Sequence, residues 1–545
     1  MKRINIKILS GLIILGVFSS CSESFLDVEP KTQLLDENFY KTQSDAEMAL
    51  VGCYDGYQLT SGGFPFYLVA TVASDETFGG TGANDGRGYQ VVDRLDKSQS
   101  PADNNIFNDT WAKYYTGIYR CNALLQKLPN VSKWNSSDEA VNTVVKNRIE
   151  GETRFLRALM YFDLVRMFEN IPLLTEPTTD NIPQADPTDV YNLIVSDLKF
   201  AAANIPANAY PKAEAATNDG RVTPYAAKAL LARVYLFYTG YYAKDDLDIT
   251  KAQVLSGLED IISSEEFDLV PNFKKLWPAS SYVPVVTGNT LDKSAYAGKG
   301  NIEVVFAQKF NSTSDYNGNT DGNSWLVMMG MRGCNFSPYG KGWGACTVNP
   351  QLVNAFASND TRKTASIIDI VAEGIESTFP IDDQKEYTGF TVKKYSPTCL
   401  PDGTSDTGGS KDFQTSQDQD YIVIRYADVL LMAAELGSIN ALTYFNKVHQ
   451  RAGLAEVSSV SLTDIQNERR LEFAFEGIRY WDLLRTGIDN AANAIAATAQ
   501  TVKSGGVADN ISYDISKIKT TKGFMQIPSS QITLSNGVLK QNEGW

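Results

Sequence analysis

The sequence predicts a mostly α-helical protein of tetratricopeptide-like helix pairs, carrying a loop-rich insertion with short strands. Three observations lead there. Segments with apolar residues at helical spacing occur as neighbours, in groups before residue 170, between 186 and 240, and near the C-terminus. Each such helix has an apolar face that it covers only by stacking on the next, as helical repeats do. Between the second and third groups, residues 265–415 turn to Gly, Asn, Ser, Thr and aromatics, the composition of loops. At 545 residues the chain exceeds one ordinary domain. It divides into a leader (1–20), an N-terminal helical part with an early loop (21–264), the insertion (265–415) and a C-terminal helical part (416–545).

The leader places Lys2, Arg3 and Lys7 before the apolar run ILSGLIILGVF, which meets Ser19, Ser20 and Cys21. That is the anatomy of a cleaved secretory signal, and the run is too short to span a bilayer. Cys21 after small residues resembles a bacterial lipobox, with Phe18 where an aliphatic residue is usual, so lipidation at Cys21 is expected. The alternative is an ordinary secretory leader with an incidental cysteine. Cys53 and Cys121 lie in helical patterns, as buried small hydrophobes do. Cys334 and Cys346 flank a Gly-rich loop and could bridge in an oxidising compartment.

A loop-rich segment, YQLTSGGFPFYLVATVASDETFGGTGANDGRGYQ, precedes the first helix pair. In that pair, NDTWAKYYTGIYRCNALLQKLP puts Trp111, Tyr114, Ile118 and Leu125 on one stripe, and Pro129 ends it. Its partner runs from about Val141 to Phe168 and stops before Pro172. The second pair opens twice with the same device, a capping residue followed by proline: Asp186 with Pro187, then Thr223 with Pro224. In the insertion, NIEVVFAQKF reads as a strand. DYNGNTDGN offers oxygen donors at Asp315, Asn317, Asn319 and Asp321 but lacks the sixth-place Gly and closing Glu of a calcium loop. The third group comprises YIVIRYADVLLMAAELG, NALTYFNKVHQRAGL and a last helix expected from Thr463, capped by Gln466, to about Arg485.

That last helix packs acidic residues among aromatics. At 100° per residue, Glu468, Glu472, Glu476, Arg479 and Asp482 form one stripe within roughly 120°. Like charges at this spacing repel unless answered, and Arg469 and Arg479 lie on the same stripe to answer them. The stretch therefore reads as a buried, mutually neutralised network that fixes the helix in place.

Charge and composition exclude several functions. A net charge of −15 argues against a nucleic-acid partner, since phosphate binding relies on Lys and Arg. One histidine, His449, leaves no room for a His-rich zinc site and would have to serve any Ser-His or Cys-His catalysis. No GxSxG, HExxH, GxGxxG or P-loop pattern is present. No catalytic residue, metal or cofactor is expected.

ERRLEFAFEGIRYWDLLRTG resembles the C-terminal signature of the SusD/RagB family of Bacteroidetes surface lipoproteins. CSESFLDVEPKTQ, ETRFLRALMYFDLVRMF, ALLARVYLFYTG, VNPQLVNAFASNDTRK, IRYADVLLMAAEL and GFMQIPSSQITLSNGVLKQNEGW resemble further family segments, in order. His449 stands where the family usually has Arg. The resemblance implies a surface-exposed outer-membrane lipoprotein of SusD-like fold that captures an oligosaccharide and passes it to a SusC-like TonB-dependent transporter, without catalysis. A peptide ligand is the alternative; a surface glycoside hydrolase, with Asp75 and Glu76 as its acids, is another.

Sugars are recognised by flat apolar surfaces together with carboxylates, amides and Arg. Two loop regions offer both. In the early loop, Asp75 and Arg87 resemble ligand-contacting residues of some family members, with Phe78, Asn84, Asp85 and Tyr89 beside them. In the insertion, Trp277, Tyr282, Trp325, Tyr339 and Trp343 are the candidate aromatics.

Overall fold

A computed structural model describes residues 39–212, 220–315 and 318–545; the leader and Cys21 lie outside the described residues. Helix α1 (Gln43–Gln58) begins at a capping box in which Thr42 and Asp45 each accept the other's backbone N–H. The expected first pair follows as α2 (Asn108–Lys127) and α3 (Glu139–Phe168), the latter capped by Asp138. The second pair is α4 (Pro187–Asn204), capped by Asp186, and α5 (Pro224–Tyr242), capped by Thr223, each with proline in its first turn. A further helix, α6 (Lys251–Ser263), starts at a Thr250–Gln253 capping box. These helices pack successively: α1 on α2, α2 on α3, α3 on α4, α4 on α5 and α5 on α6. Close approach is set by small residues. A Cβ on Gly56 would sit 2.9 Å from the Gly117 Cα, so α1 and α2 cross backbone to backbone.

The insertion holds short strands laid against this helical frame. Strand β1 (Thr77–Gly79) of the early loop joins β2 (Val304–Gln308), β3 (Met331–Arg332), β4 (Lys341–Gly342), β5 (Cys346–Val348), β6 (Ile367–Asp369) and β7 (Phe390–Val392) of the insertion. Four of them make a sheet in the order β1-β5-β7-β6, with Phe78 opposite Thr347. The two loop-rich regions, far apart in sequence, are thus hydrogen-bonded into one layer. Among the described residues no disulfide forms. Cys334 and Cys346 are both free, and Cys346 is buried against the Met329 sulfur at 3.5 Å.

The C-terminal group departs from expectation in two places. YIVIR is strand β8 (Tyr421–Arg425), antiparallel to β2, and only then does the chain turn into α7 (Tyr426–Glu435) and α8 (Ala441–Arg451). The last helix starts at Ser461, whose capping box uses Asp464, not at Thr463, and it breaks in the middle. It forms α9 (Leu462–Glu472) and α10 (Arg479–Leu484), separated by Phe475 at φ 62° and Gly477 at φ 70°. The break is held by tertiary hydrogen bonds. The Tyr67 hydroxyl donates to the Phe475 carbonyl, and the Phe475 N–H donates to Glu76 Oε2 at 3.0 Å.

Because of that break, the carboxylates do not share one helical stripe, although they are buried and neutralised as expected. Their partners come from elsewhere in the chain. Glu472 meets Arg362 at 3.2 Å, Arg425 at 2.9 Å and Arg451; Glu476 meets Lys394 and Arg425, each at 2.8 Å; Glu468 meets Arg362 at 2.6 Å and His449 at 2.8 Å. Arg469 instead binds Asp428 and Asp482, and Arg479 binds Asp75. Burial works to raise the Glu472 carboxyl, yet Arg451, Arg425 and Arg362 hold it down at about 2.

Candidate functional site

Strand β1 carries the early loop to the insertion. The Gly80 N–H donates to the Ala345 carbonyl at 2.9 Å, and the Lys385 N–H donates to the Thr81 carbonyl at 2.9 Å. Asn84, Asp85 and Arg87 are exposed at the loop tip, and Tyr89 is half-buried with its ring 5.2 Å from that of Phe64. Asp85 is tied down: it accepts the Thr81 hydroxyl at 3.0 Å and the Gly82 N–H at 3.1 Å, and pairs with Arg332 at 3.0 Å. Partial burial would raise its carboxyl, but these hydrogen bonds and the Arg332 charge keep it below the usual carboxylate range. Arg332 also reaches Asp383 at 3.1 Å, and Arg87 donates to Gln99 Oε1 at 2.9 Å.

Just past β4, Trp343 stands half-buried at a recess of about 310 Å³. Its other walls come from Leu59, Val327 and Met328 on the apolar side and from the 61–63 turn, Lys113, Ser314, Asp315, Asn319 and the 414–415 segment on the polar side. One indole face amid hydroxyl, amide and charged groups is the composition that takes a sugar ring and its hydroxyls. Asp315 is engaged in its own turn, where its Oδ1 accepts the Asn319 N–H at 3.2 Å, and Asn317 lies outside the described residues.

Five expected site residues are withdrawn from solvent. Asp75 is 4% exposed and is held by Arg479 at 2.8 Å and Arg470 at 3.0 Å. Phe78 is fully buried against Val502 and Ile511. Trp325 is 1% exposed, stacked on Tyr67 at 4.2 Å and boxed by Tyr395 and Tyr421. Trp277 is fully buried, covering Lys394 and Arg425 at 5.3 and 5.9 Å. These indoles are large apolar bodies beneath loops, where burial gains more than display. Tyr339 is also buried, its hydroxyl donating to Glu373 at 3.0 Å, whereas Tyr282 is half-exposed beside Tyr296 and Lys293.

Of the expected site residues the structure thus leaves Asn84, Asp85 and Arg87 exposed and Tyr89, Trp343 and Tyr282 half-buried. Sequence reasoning missed Lys113, Ser314, Arg332 and Gln414. A dense run of Asn, Ser, Thr and Asp around residues 311–323 was a signal for Ser314 alone. The proposed acid pair fares worse. Glu76 is 1% exposed beside Asp75, and burial pushes its carboxyl up to about 8 against the Phe475 N–H. Neither of these two carboxylates borders the recess.

Comparison with known proteins adds to this geometry. The family model described as "SusD family" matches residues 374–545, and the one described as "Starch-binding associating with outer membrane" matches residues 24–236. SusD-like protein P38 of Formosa agariphila is 26% identical over 516 residues, covering 87% of this chain and 90% of that protein. A SusD-like protein of Bacteroides ovatus is 24% identical over 495 residues, covering 86% and 80%. Among solved structures, a laminarin-binding SusD-like protein superposes with a TM-score of 0.70 at 29% identity, covering 93% of this chain and all of that one. Surface glycan-binding protein A of Bacteroides thetaiotaomicron, solved with laminarihexaose, gives a TM-score of 0.72 at 23% identity, covering 93% and 100%.

Proposed function

The chain belongs to the SusD family, and from that premise we propose that it is a surface lipoprotein that captures an oligosaccharide for an outer-membrane transporter. The observation that carries the reading is the half-buried Trp343 at a recess that offers both apolar and polar groups, in a chain that superposes on a laminarin-binding relative over 93% of its length. Stacking on the indole supplies apolar contact. Ser314, Asn319, Gln414 and Thr415 then address the hydroxyls, and Asn84, Asp85, Arg87 and Tyr89 form a nearby rim. Tyr282 extends the same face along the insertion.

The anchor is assigned to Cys21, and the partner to a SusC-like TonB-dependent transporter over which the protein sits. Among the described residues no helix is long and apolar enough to cross a membrane. Binding without turnover is the expected chemistry, because the carboxylates near the centre of the molecule serve ion pairs. The test is calorimetric titration of the mature protein with a panel of oligosaccharides, followed by chromatography of the mixture after prolonged incubation. Saturable binding with intact sugar supports the reading; shorter products would replace it with the hydrolase alternative, and affinity for peptides alone with the peptide one.

A further inference from the structure

A second recess, of about 200 Å³, is walled by chain neighbours of residues that line the Trp343 recess. Lys341 and Phe413 line the second, while their near neighbours in the chain, Trp343, Gln414 and Thr415, line the first. Phe413 is the aromatic side chain of this second recess. Two ammonium groups, those of Lys341 and Lys411, also belong to this second recess.

The charges around it are unevenly spent. Asp412 turns inward, its Oδ1 accepting the Gln414 and Thr415 N–H groups at 2.8 and 3.0 Å. Asp406 pairs with Lys293 at 2.9 Å and accepts the Thr398 hydroxyl at 3.2 Å. Asp402 accepts from Asn289 at 2.7 Å and from the Thr404 N–H at 2.8 Å. Asn335 is likewise committed, donating to the Gly403 carbonyl at 2.9 Å and accepting the Lys341 N–H at 2.7 Å. Lys341 lies over the Phe413 ring at 4.3 Å, and neither it nor Lys411 pairs with a carboxylate among the described residues. In a chain of net charge −15, a recess whose acids are internally satisfied and whose two cations are open has a definite preference.

We propose that this recess is a subsite for an anionic sugar, so that the captured glycan carries carboxylate or sulfate groups next to the unit stacked on Trp343. The proposal rests on the glycan-capture reading above and narrows its substrate class. The sugar unit lies in the recess beside Phe413, and its acid group lies between the Lys341 and Lys411 ammoniums, where a charge-assisted hydrogen bond is stronger than one to a hydroxyl.

The test compares three oligosaccharides of equal length by calorimetry: a uronate oligomer, a sulfated oligomer and a neutral β-glucan oligomer. Two partly exposed charge pairs predict about tenfold tighter binding of an anionic oligomer than of the neutral one at low salt, fading as salt is raised. Whether the uronate or the sulfate is preferred identifies the acid. In the Lys341→Gln/Lys411→Gln variant, checked for an unchanged melting temperature, the ratio falls to near one. Equal or better binding of the neutral oligomer by the wild-type protein, or a ratio indifferent to the substitutions, overturns the subsite and leaves glycan capture standing. If no saccharide of any charge binds, the functional reading fails as well.

Discussion

Replacing Glu472 by Gln removes one negative charge from the middle of the buried ion cluster while keeping the shape of the side chain. Glu472 is fully buried and faces Arg362, Arg425 and Arg451 at once. These cations hold its carboxyl at about 2 against an ordinary value of 4.5. Each tenfold in a proton equilibrium is about 1.4 kcal/mol, so the ionised carboxylate contributes roughly 3 kcal/mol, within the range of about 3–5 kcal/mol for breaking a buried pair. Its folded value is depressed, so the contribution is complete above the unfolded value of 4.5 and is lost as pH falls toward 2. Urea denaturation at a series of pH values reads it directly, as a fall in midpoint at constant slope. The variant should be about 3 kcal/mol less stable than wild type at pH 7, and the gap should close as the solution is acidified. A loss under about 1 kcal/mol at pH 7, or a gap independent of pH, would refute the claim that these carboxylates hold the fold together.

Glu76 behaves oppositely: its carboxyl is pushed up to about 8 from 4.5, so wild-type stability falls as pH rises between those values. Melting curves of Glu76→Gln against wild type should diverge across that interval and run parallel above it, whereas parallel curves throughout would show an ionised Glu76 in the fold. Trp325→Ala should destabilise by about 3–5 kcal/mol, as truncation of a buried aromatic does, seen as a lowered melting temperature. Cys21→Ser should move the protein from the membrane fraction to the soluble one on cell fractionation; retention in the membrane fraction would refute the anchor.

The helices were legible in the sequence wherever a cap marked them. Asp186 with Pro187 and Thr223 with Pro224 set the starts of α4 and α5 to the residue. The break between α9 and α10 was hidden because helical periodicity runs unbroken through it. Only Gly477 hinted at it, and the hydrogen bonds that enforce it come from Tyr67 and Glu76, some four hundred positions away. The same distance in sequence concealed the partners of the buried carboxylates. Periodicity pairs residues on one helix, but Arg362, Arg425 and Lys394 reach Glu472 and Glu476 from other elements. Composition marked two loop-rich regions but could not say which of their aromatics face outward. Trp277 and Trp325 sit in the same kind of sequence as Trp343, yet pack inward on Lys394 and Tyr67. Nor could it show that β1 and β5 join those regions into one layer, since short strands of three residues carry almost no alternation.

In the proposed function, recognition lies on the exposed aromatic face, and the helical frame and its ion pairs take no part in it. Titration of the mature protein and of Trp343→Ala with an oligosaccharide that the wild type binds tests this most directly, with melting temperature recorded for both. The predicted result is a loss of about five- to tenfold in affinity, from sugar stacking on one aromatic surface worth about 1–1.5 kcal/mol, with the fold intact. Undiminished affinity in Trp343→Ala would contradict it and send recognition to another surface of the molecule.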